Sequence, residues 1–322
     1  MNQNKLKDYK LTGSFHTLEI KTDGITADSE RYEQVMTSRT KTTADTITTR
    51  TILNLNKIDG DIFNYADFRT ALDDVIADAG IQEYSISRAD FRLDSYDKEH
   101  YQMFSKLNKY LISMLAVTYS VKNAYKTEDL FSQKLRSIAI KNKYFEIENY
   151  DKEAESHGLD MACSRLEERT KSFSDDLKRE FTKRWFDRWD KAIKNKDKVE
   201  KRYNDELEKI YKEKKDAFPV QFRSLTDFLI QYQNCIFSKR QMIDLLSRFD
   251  EVGAAKAPTR AKNHKQKYGI EYFSEQDIKR AVEEIKRATL EFFDEPEEPD
   301  AAAKPACSRC GCAEYVESQK GM

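Results

Sequence analysis

The chain has 322 residues, and its 56 lysines and arginines against 57 aspartates and glutamates leave a net charge of −1, a balance that by itself neither calls for nor rules out a nucleic-acid partner. Its nine glycines never fall closer than ten residues apart and its four histidines are more than fifty residues from one another, which excludes the glycine-rich dinucleotide and P-loop fingerprints, the G-x-S-x-G hydrolase elbow and the H-E-x-x-H zinc helix. The longest apolar stretch, about 111–119, is roughly half of a bilayer crossing, and three of the five cysteines crowd into 307–312, so a cytoplasmic protein with no membrane contact and no disulfide framework is expected.

From about residue 14 to 171 strand-like and helix-like runs alternate, the mark of an α/β or α+β domain. Strands are predicted over Ser14–Lys21, Thr46–Asn56, Glu83–Ser95, Lys134–Lys141, Tyr144–Tyr150 and Asp160–Thr170, and helices over Tyr65–Ala79 and about Glu99–Val121. This order predicts an α+β fold of ferredoxin-like or RRM-like sheet units with helices on one face. A helical region follows: Leu177, Phe181, Trp185, Trp189 and Ile193, then Val199, Tyr203, Leu207 and Ile210, form one apolar stripe that Pro219 ends. Ser224 and Ser238 then open two short helices, over Leu225–Cys235 and Met242–Phe249, close enough together for a helix-turn-helix-like pair. The stretch Gly253–Gly269 carries Lys256, Arg260, Lys262, Lys265 and Lys267 without an acid and is read as a basic, DNA-binding loop. Ser274 starts a last helix, and an acidic, proline-containing run opens a disordered tail. The thiols of Cys307, Cys310 and Cys312 fall one ligand short of a structural zinc site. The chain is thus divided into an α+β domain (1–172), a helical DNA-binding or dimerisation region (173–293) and a tail (294–322).

Alternate residues of a strand share a face. Arg88, Asp90, Arg92 and Asp94 therefore fall together, away from Ala89, Phe91 and Leu93. Arg165, Glu167 and Arg169 fall together in the same way, as do Tyr144, Glu146, Glu148 and Tyr150. Such a face is either an open sheet surface laced with cross-strand ion pairs or a cluster of carboxylates, arginines and a tyrosine suited to phosphate chemistry with Mg²⁺ or Mn²⁺.

The run Ile86-Ser87-Arg88-Ala89-Asp90-Phe91-Arg92-Leu93-Asp94 resembles the R-x-D-x-x-x-D strand of the replication initiation factor family, the trans-acting initiators of Gram-positive rolling-circle plasmids and related mobile elements. Ile147-Glu148-Asn149-Tyr150-Asp151-Lys152 resembles its I-x-x-Y-[ND]-K segment, and Ser164-Arg165-Leu166-Glu167-Glu168-Arg169 its R-[LV]-E-x-[ER] strand, in the same order over about 80–175. The resemblance implies a protein that binds a replication origin and nicks it through a tyrosine, forming a 5′-phosphotyrosyl link with a divalent metal, Mg²⁺ or Mn²⁺. It carries Asp90, Asp94 and Glu167 over as candidate metal ligands and Arg88 and Arg165 as phosphate-binding groups. It also implies origin DNA as a partner; the helical region adds a homodimer as a candidate assembly, and a host helicase is a further candidate partner. The family's nucleophile position falls on Ser137, which leaves three alternatives: Tyr144 serves, Tyr150 serves, or the chain binds origins without cutting them. The rival readings from other classes are a non-catalytic DNA-binding replication protein and a helical scaffold that pairs through the stripe from Leu177 to Ile210.

Overall fold

Six runs of alternating or β-branched residues pair edge to edge because each can bury one side against apolar helices, and a seventh, polar and mostly exposed, adds at the sheet edge. A computed structural model of the chain describes residues 6–24, 31–58, 62–121, 137–161, 163–173, 176–215, 222–249 and 252–294. Expectations placed on the cysteine tail, the acidic run after 294, Ser174, Asp175, Pro219 and residues 134–136 lie outside the described residues.

The strands are β1 (Thr12–Asp23), β2 (Met36–Thr42), β3 (Ile47–Leu53), β4 (Ser85–Ser95), β5 (Ser137–Lys141), β6 (Phe145–Tyr150) and β7 (Ser164–Lys171). They form one curled antiparallel sheet in the order β2-β3-β1-β4-β7-β6-β5. The helices, from α1 on, are Tyr65–Asp78, α2 (Tyr101–Thr118), α3 (Lys152–Glu155), α4 (Leu177–Ala192), α5 (Lys196–Lys215), α6 (Leu225–Gln231), α7 (Lys239–Ser247), α8 (Gly253–Tyr268) and α9 (Glu275–Phe293). The chain is therefore α+β, with a helical C-terminal region, as its sequence predicts.

One face of the sheet presents Phe15, Leu18, Ala89, Phe91, Leu93, Ile140, Ile147 and Leu166, all buried. Phe15 packs edge-on against Phe91, Phe181 of α4 and Phe292 and Phe293 of α9, and tilts against Phe68 of α1, so strands and helices share one aromatic core. Helix α2 runs through the middle, buried continuously from Phe104 to Ala116. Two of its buried polar side chains are tied across the core: Tyr9 Oη donates to Asn108 Oδ1 at 2.8 Å, and Tyr110 Oη to Glu200 Oε1 at 2.6 Å.

Capping sets the helix starts as the sequence predicts: Ser224, Ser238 and Ser274 each accept a hydrogen bond from the amide three residues on, and Ser274 with Asp277 completes a capping box. The apolar stripe from Leu177 is interrupted by a 3-10 turn over Ile193–Asn195, so it spans two helices instead of one. Its side chains, Phe181, Trp185, Trp189, Val199, Tyr203 and Leu207 among them, are buried within the same chain, which leaves the stripe already covered. The expected helix over Leu225–Cys235 ends at Gln231 and finishes as a 3-10 turn.

One prediction is overturned: Gly253–Gly269 is not a loop. Residues 253–268 form helix α8, ended by Gly269 in the left-handed conformation (φ +64°), so Lys256, Arg260, Lys262, Lys265 and Lys267 are helical side chains. Strand β2 was not anticipated; its MTSRTKT sequence is polar and mostly exposed at the sheet edge.

Candidate functional site

The second face of the sheet carries the charged side chains that alternation assigns to it. Register pairs Asp94 with Arg165, Arg92 with Glu167 and Asp90 with Arg169 across β4 and β7, three acid–base couples in succession. Across β7 and β6 it pairs Arg169 with Glu146, Glu167 with Glu148 and Arg165 with Tyr150. Asp90, Asp94 and Glu167 thus lie on one face, as strand parity predicts, and each is at most 3% exposed.

Arginines hold most of these carboxylates. Arg88 Nε donates to Asp90 Oδ1 at 2.7 Å, and its Nη2 meets Asp90 Oδ2. Arg165 grips Asp94 bidentately at 2.6 and 2.8 Å and also reaches Asp160 at 3.1 Å. Arg169 donates to Glu167 at 3.0 Å and Glu146 at 3.1 Å, and sits 3.8 Å from Asp90 and 3.9 Å from Glu148. Two carboxylates directly opposed, as Glu148 and Glu167 are, repel unless a cation lies between them, and Arg169 fills that place. Among the described residues no group of three or more His, Cys, Asp or Glu could hold a metal ion. A divalent cation here would have to take the position of Arg169.

Tyr150 ends β6 with its hydroxyl turned into this cluster, donating to Glu167 Oε2 at 2.8 Å. Burial, then the Glu167 charge, pushes the phenol well above its usual range, while Arg165 pulls the other way. Arg165 Nη1 is buried with no hydrogen-bond partner. For Glu167 burial raises the pKa, but Arg169, His16 and the Tyr150 hydrogen bond outweigh it and hold the carboxyl below its ordinary value. Burial lowers His16, which feels the charges of Glu167, Arg92 and Arg165 from β1. Asp90 is raised, burial exceeding the help from Arg88.

Tyr150, Ser137, Glu148, Asp151, Ala154, Glu155 and Arg169 line a cleft of about 330 Å³. Ser137 lies directly opposite Tyr150 in the β5–β6 register and donates to Glu148 at 3.1 Å. Tyr144 is placed elsewhere: it precedes β6 in the hairpin turn, is 60% exposed, and has Lys143 Nζ 4.6 Å over its ring. The basic residues Lys256, Arg260, Lys262, Lys265 and Lys267 belong to α8. His16 is the member of the cluster that the sequence reading passed over.

No protein-family model matches the chain, and no curated protein matches it. Among solved structures, the rolling circle replication initiator protein from Geobacillus stearothermophilus is similar to it at a TM-score of 0.29 and 10% identity, over 50% of this chain and 74% of that one. No helix among the described residues is long and apolar enough to cross a membrane.

Proposed function

We propose that this chain is a replication initiation protein of a plasmid or mobile element, and that it nicks a DNA strand on the polar face of its sheet with Tyr150 as nucleophile. The observation that carries this reading is the hydrogen bond from Tyr150 Oη to Glu167 Oε2 at the edge of a cleft that Arg169 lines together with Glu148, Asp151 and Glu155. The three ordered motifs that resemble those of the initiator family support it from the sequence side. The serine at the family's tyrosine position is no obstacle to it: Ser137 and Tyr150 face one another across two strands, so a hydroxyl carried by either strand is brought to the same end of the hairpin.

A phenol is a weak nucleophile at neutral pH because its ordinary pKa is about 10. Glu167 accepts the Tyr150 proton as the phenol oxygen attacks phosphorus; the P–O3′ bond breaks, and the departing 3′ oxygen takes a proton from solvent. The unpartnered Nη1 of Arg165, opposite Tyr150 in register, is a donor for the phenolate. Dependence on Mg²⁺ or Mn²⁺ belongs to the same proposal and would require Arg169 to move off Glu146 and Glu167.

The test is covalent capture. A 3′-labelled single-stranded oligonucleotide covering the element's own origin should yield a protein adduct that maps to Tyr150, disappears in Tyr150→Phe and persists in Tyr144→Phe. An adduct that survives Tyr150→Phe rejects the nucleophile, and the assay run with and without EDTA reports the metal. The second reading, origin binding without cleavage, is favoured by one observation: Asp90, Asp94 and Glu167 are each held by an arginine already. Tight origin binding with no adduct would establish it.

A further inference from the structure

Helix α8 stands out by what its solvent side lacks. Its sixteen residues hold Lys256, Arg260, Lys262, Lys265 and Lys267 and no acid, in a chain with 57 acidic residues. The other long exposed helices mix signs: α4 carries Glu180, Asp187 and Asp190, and α9 carries Glu275, Asp277, Glu283, Glu284 and Glu291. Cations at a helix C-terminus complement the helix dipole, which accounts for Lys265 and Lys267. It does not account for Lys256 and Arg260, which lie in the first half of the helix, where no acid offsets them in the first turn. Such a placement costs stability unless an anion comes to the surface.

The helix is also held rigidly. Ala257, Ala261 and His264 form its buried side and pack on α7, the small alanines allowing close approach. Five residues of sequence separate the end of α7 at Ser247 from the start of α8 at Gly253, and the chain beyond Gly269 is anchored by buried Ile270 and by Phe273, whose amide donates to Phe237 O at 2.7 Å. At 3.6 residues per turn, the positions opposite the buried side are Thr259, Lys262, Asn263 and Gln266, all exposed. Lys256, Arg260 and Lys267 flank that stripe on one side.

We infer that α8, with α7 packed behind it, enters the major groove of duplex DNA. Asn263 and Gln266 read base edges, and the flanking cations hold the phosphates. Asparagine and glutamine amides match the donor–acceptor pair that adenine shows in the major groove, and lysine matches guanine. A helix about 10–12 Å across with its side chains fits a groove about 12 Å wide. Single-strand sites stack bases on aromatic side chains, and the outward stripe of α8 has none. The deep, narrow major groove of duplex RNA does not admit a helix. This duplex-reading surface is separate from the Tyr150 cleft and does not depend on cleavage there.

The experiment measures binding of the full chain and not strand scission, so its outcome is independent of the nicking result. Probes are a mixed-sequence DNA duplex of about two helical turns, its single strand, and the same sequence as duplex RNA. Affinity is followed from about 50 to 200 mM salt. The triple variant Lys256→Gln, Lys262→Gln, Lys267→Gln should weaken duplex DNA binding and flatten the slope of log K against log[salt] by about two to three units. Lysine-to-arginine substitution at the same three positions should restore the slope. Selection from a randomised DNA duplex pool should enrich a preferred sequence with the wild-type chain. That preference should disappear, with the slope retained, when Asn263 and Gln266 are changed to alanine. An unchanged slope in the triple variant, or duplex RNA bound as tightly as duplex DNA through the same lysines, overturns the inference; a preference that survives loss of both amides overturns the reading role.

Discussion

Tyr150 and Glu167 set the pH behaviour expected of the proposed site. Glu167 is held below its ordinary carboxylate range despite burial, so it remains an ionised acceptor until the solution is more acid than an ordinary glutamate requires. His16 is lowered below the usual 6.5 by burial, so above that pH it is neutral and does not titrate. Single-turnover adduct formation should therefore be flat from about pH 6.5 to 8, and be lost on the acid side only as Glu167 gains a proton. A midpoint above the ordinary glutamate range but below 6.5 would mean that the charge on His16 matters to the step, and would contradict this assignment. At this scale the sequence was legible where alternation is unbroken: β4, β6 and β7 put Asp90, Glu148 and Glu167 where parity places them. It was not legible for His16. Phe15 points into the core from an odd position and Leu18 and Ile20 from even ones, because a bulge shifts the register between Phe15 and Thr17. No single parity of that strand could say which way His16 faces.

Among elements, α8 was misread for identifiable reasons. It opens with a glycine, contains Pro258, and buries only two alanines and a histidine, so it lacks the large apolar side chains from which helical periodicity is read. Burial by close approach instead of by side-chain bulk leaves little trace in a sequence. Strand β2 escaped similarly, since an exposed edge strand needs no apolar face. Glycine can report such close approach, and Gly13 of β1 does. A Cβ there would lie 2.8 Å from the carbonyl oxygen of Ala288 in α9 and 2.8 Å from Phe91 Cζ. The α9 helix is clasped to that point from both sides: Leu11 N donates to Glu284 Oε1 at 2.9 Å, and Arg287 Nη2 donates to Leu11 O at 3.1 Å. Gly13→Ala should destabilise the protein by about 1–3 kcal/mol, the usual cost of overpacking, seen as a lower denaturation midpoint with an unchanged slope. A midpoint equal to that of the wild type would show that α9 can slide outward freely.

At the level of the whole molecule, the sheet and the C-terminal helices bury one another. Phe181 lies 5.4 Å from Phe15 and 5.1 Å from Phe91, ring centre to ring centre, while Phe293 stacks on Phe91. Polar ties reinforce the seam: Arg188 of α4 pairs with buried Glu168 of β7 and donates to Thr170 at 2.9 Å, and Trp185 Nε1 donates to Thr289 at 3.1 Å. Removing residues after 172 would therefore expose Phe15 and Phe91 together and strand Glu168 without its arginine, a loss in the class that commonly abolishes folding. Composition changes sharply near that boundary, which is why the sequence suggests a division there, but composition does not show which side of a sheet a later helix will cover. The two tryptophans, Trp185 and Trp189, sit in α4 at this seam and report on it directly. Their fluorescence and the far-ultraviolet circular dichroism of the whole chain should change at the same denaturant concentration, as one cooperative transition. The 1–172 fragment should aggregate or remain unfolded. A tryptophan transition that precedes the loss of circular dichroism, or a soluble fragment 1–172 with its own cooperative unfolding, would show instead that the helices dock onto a sheet domain already stable by itself.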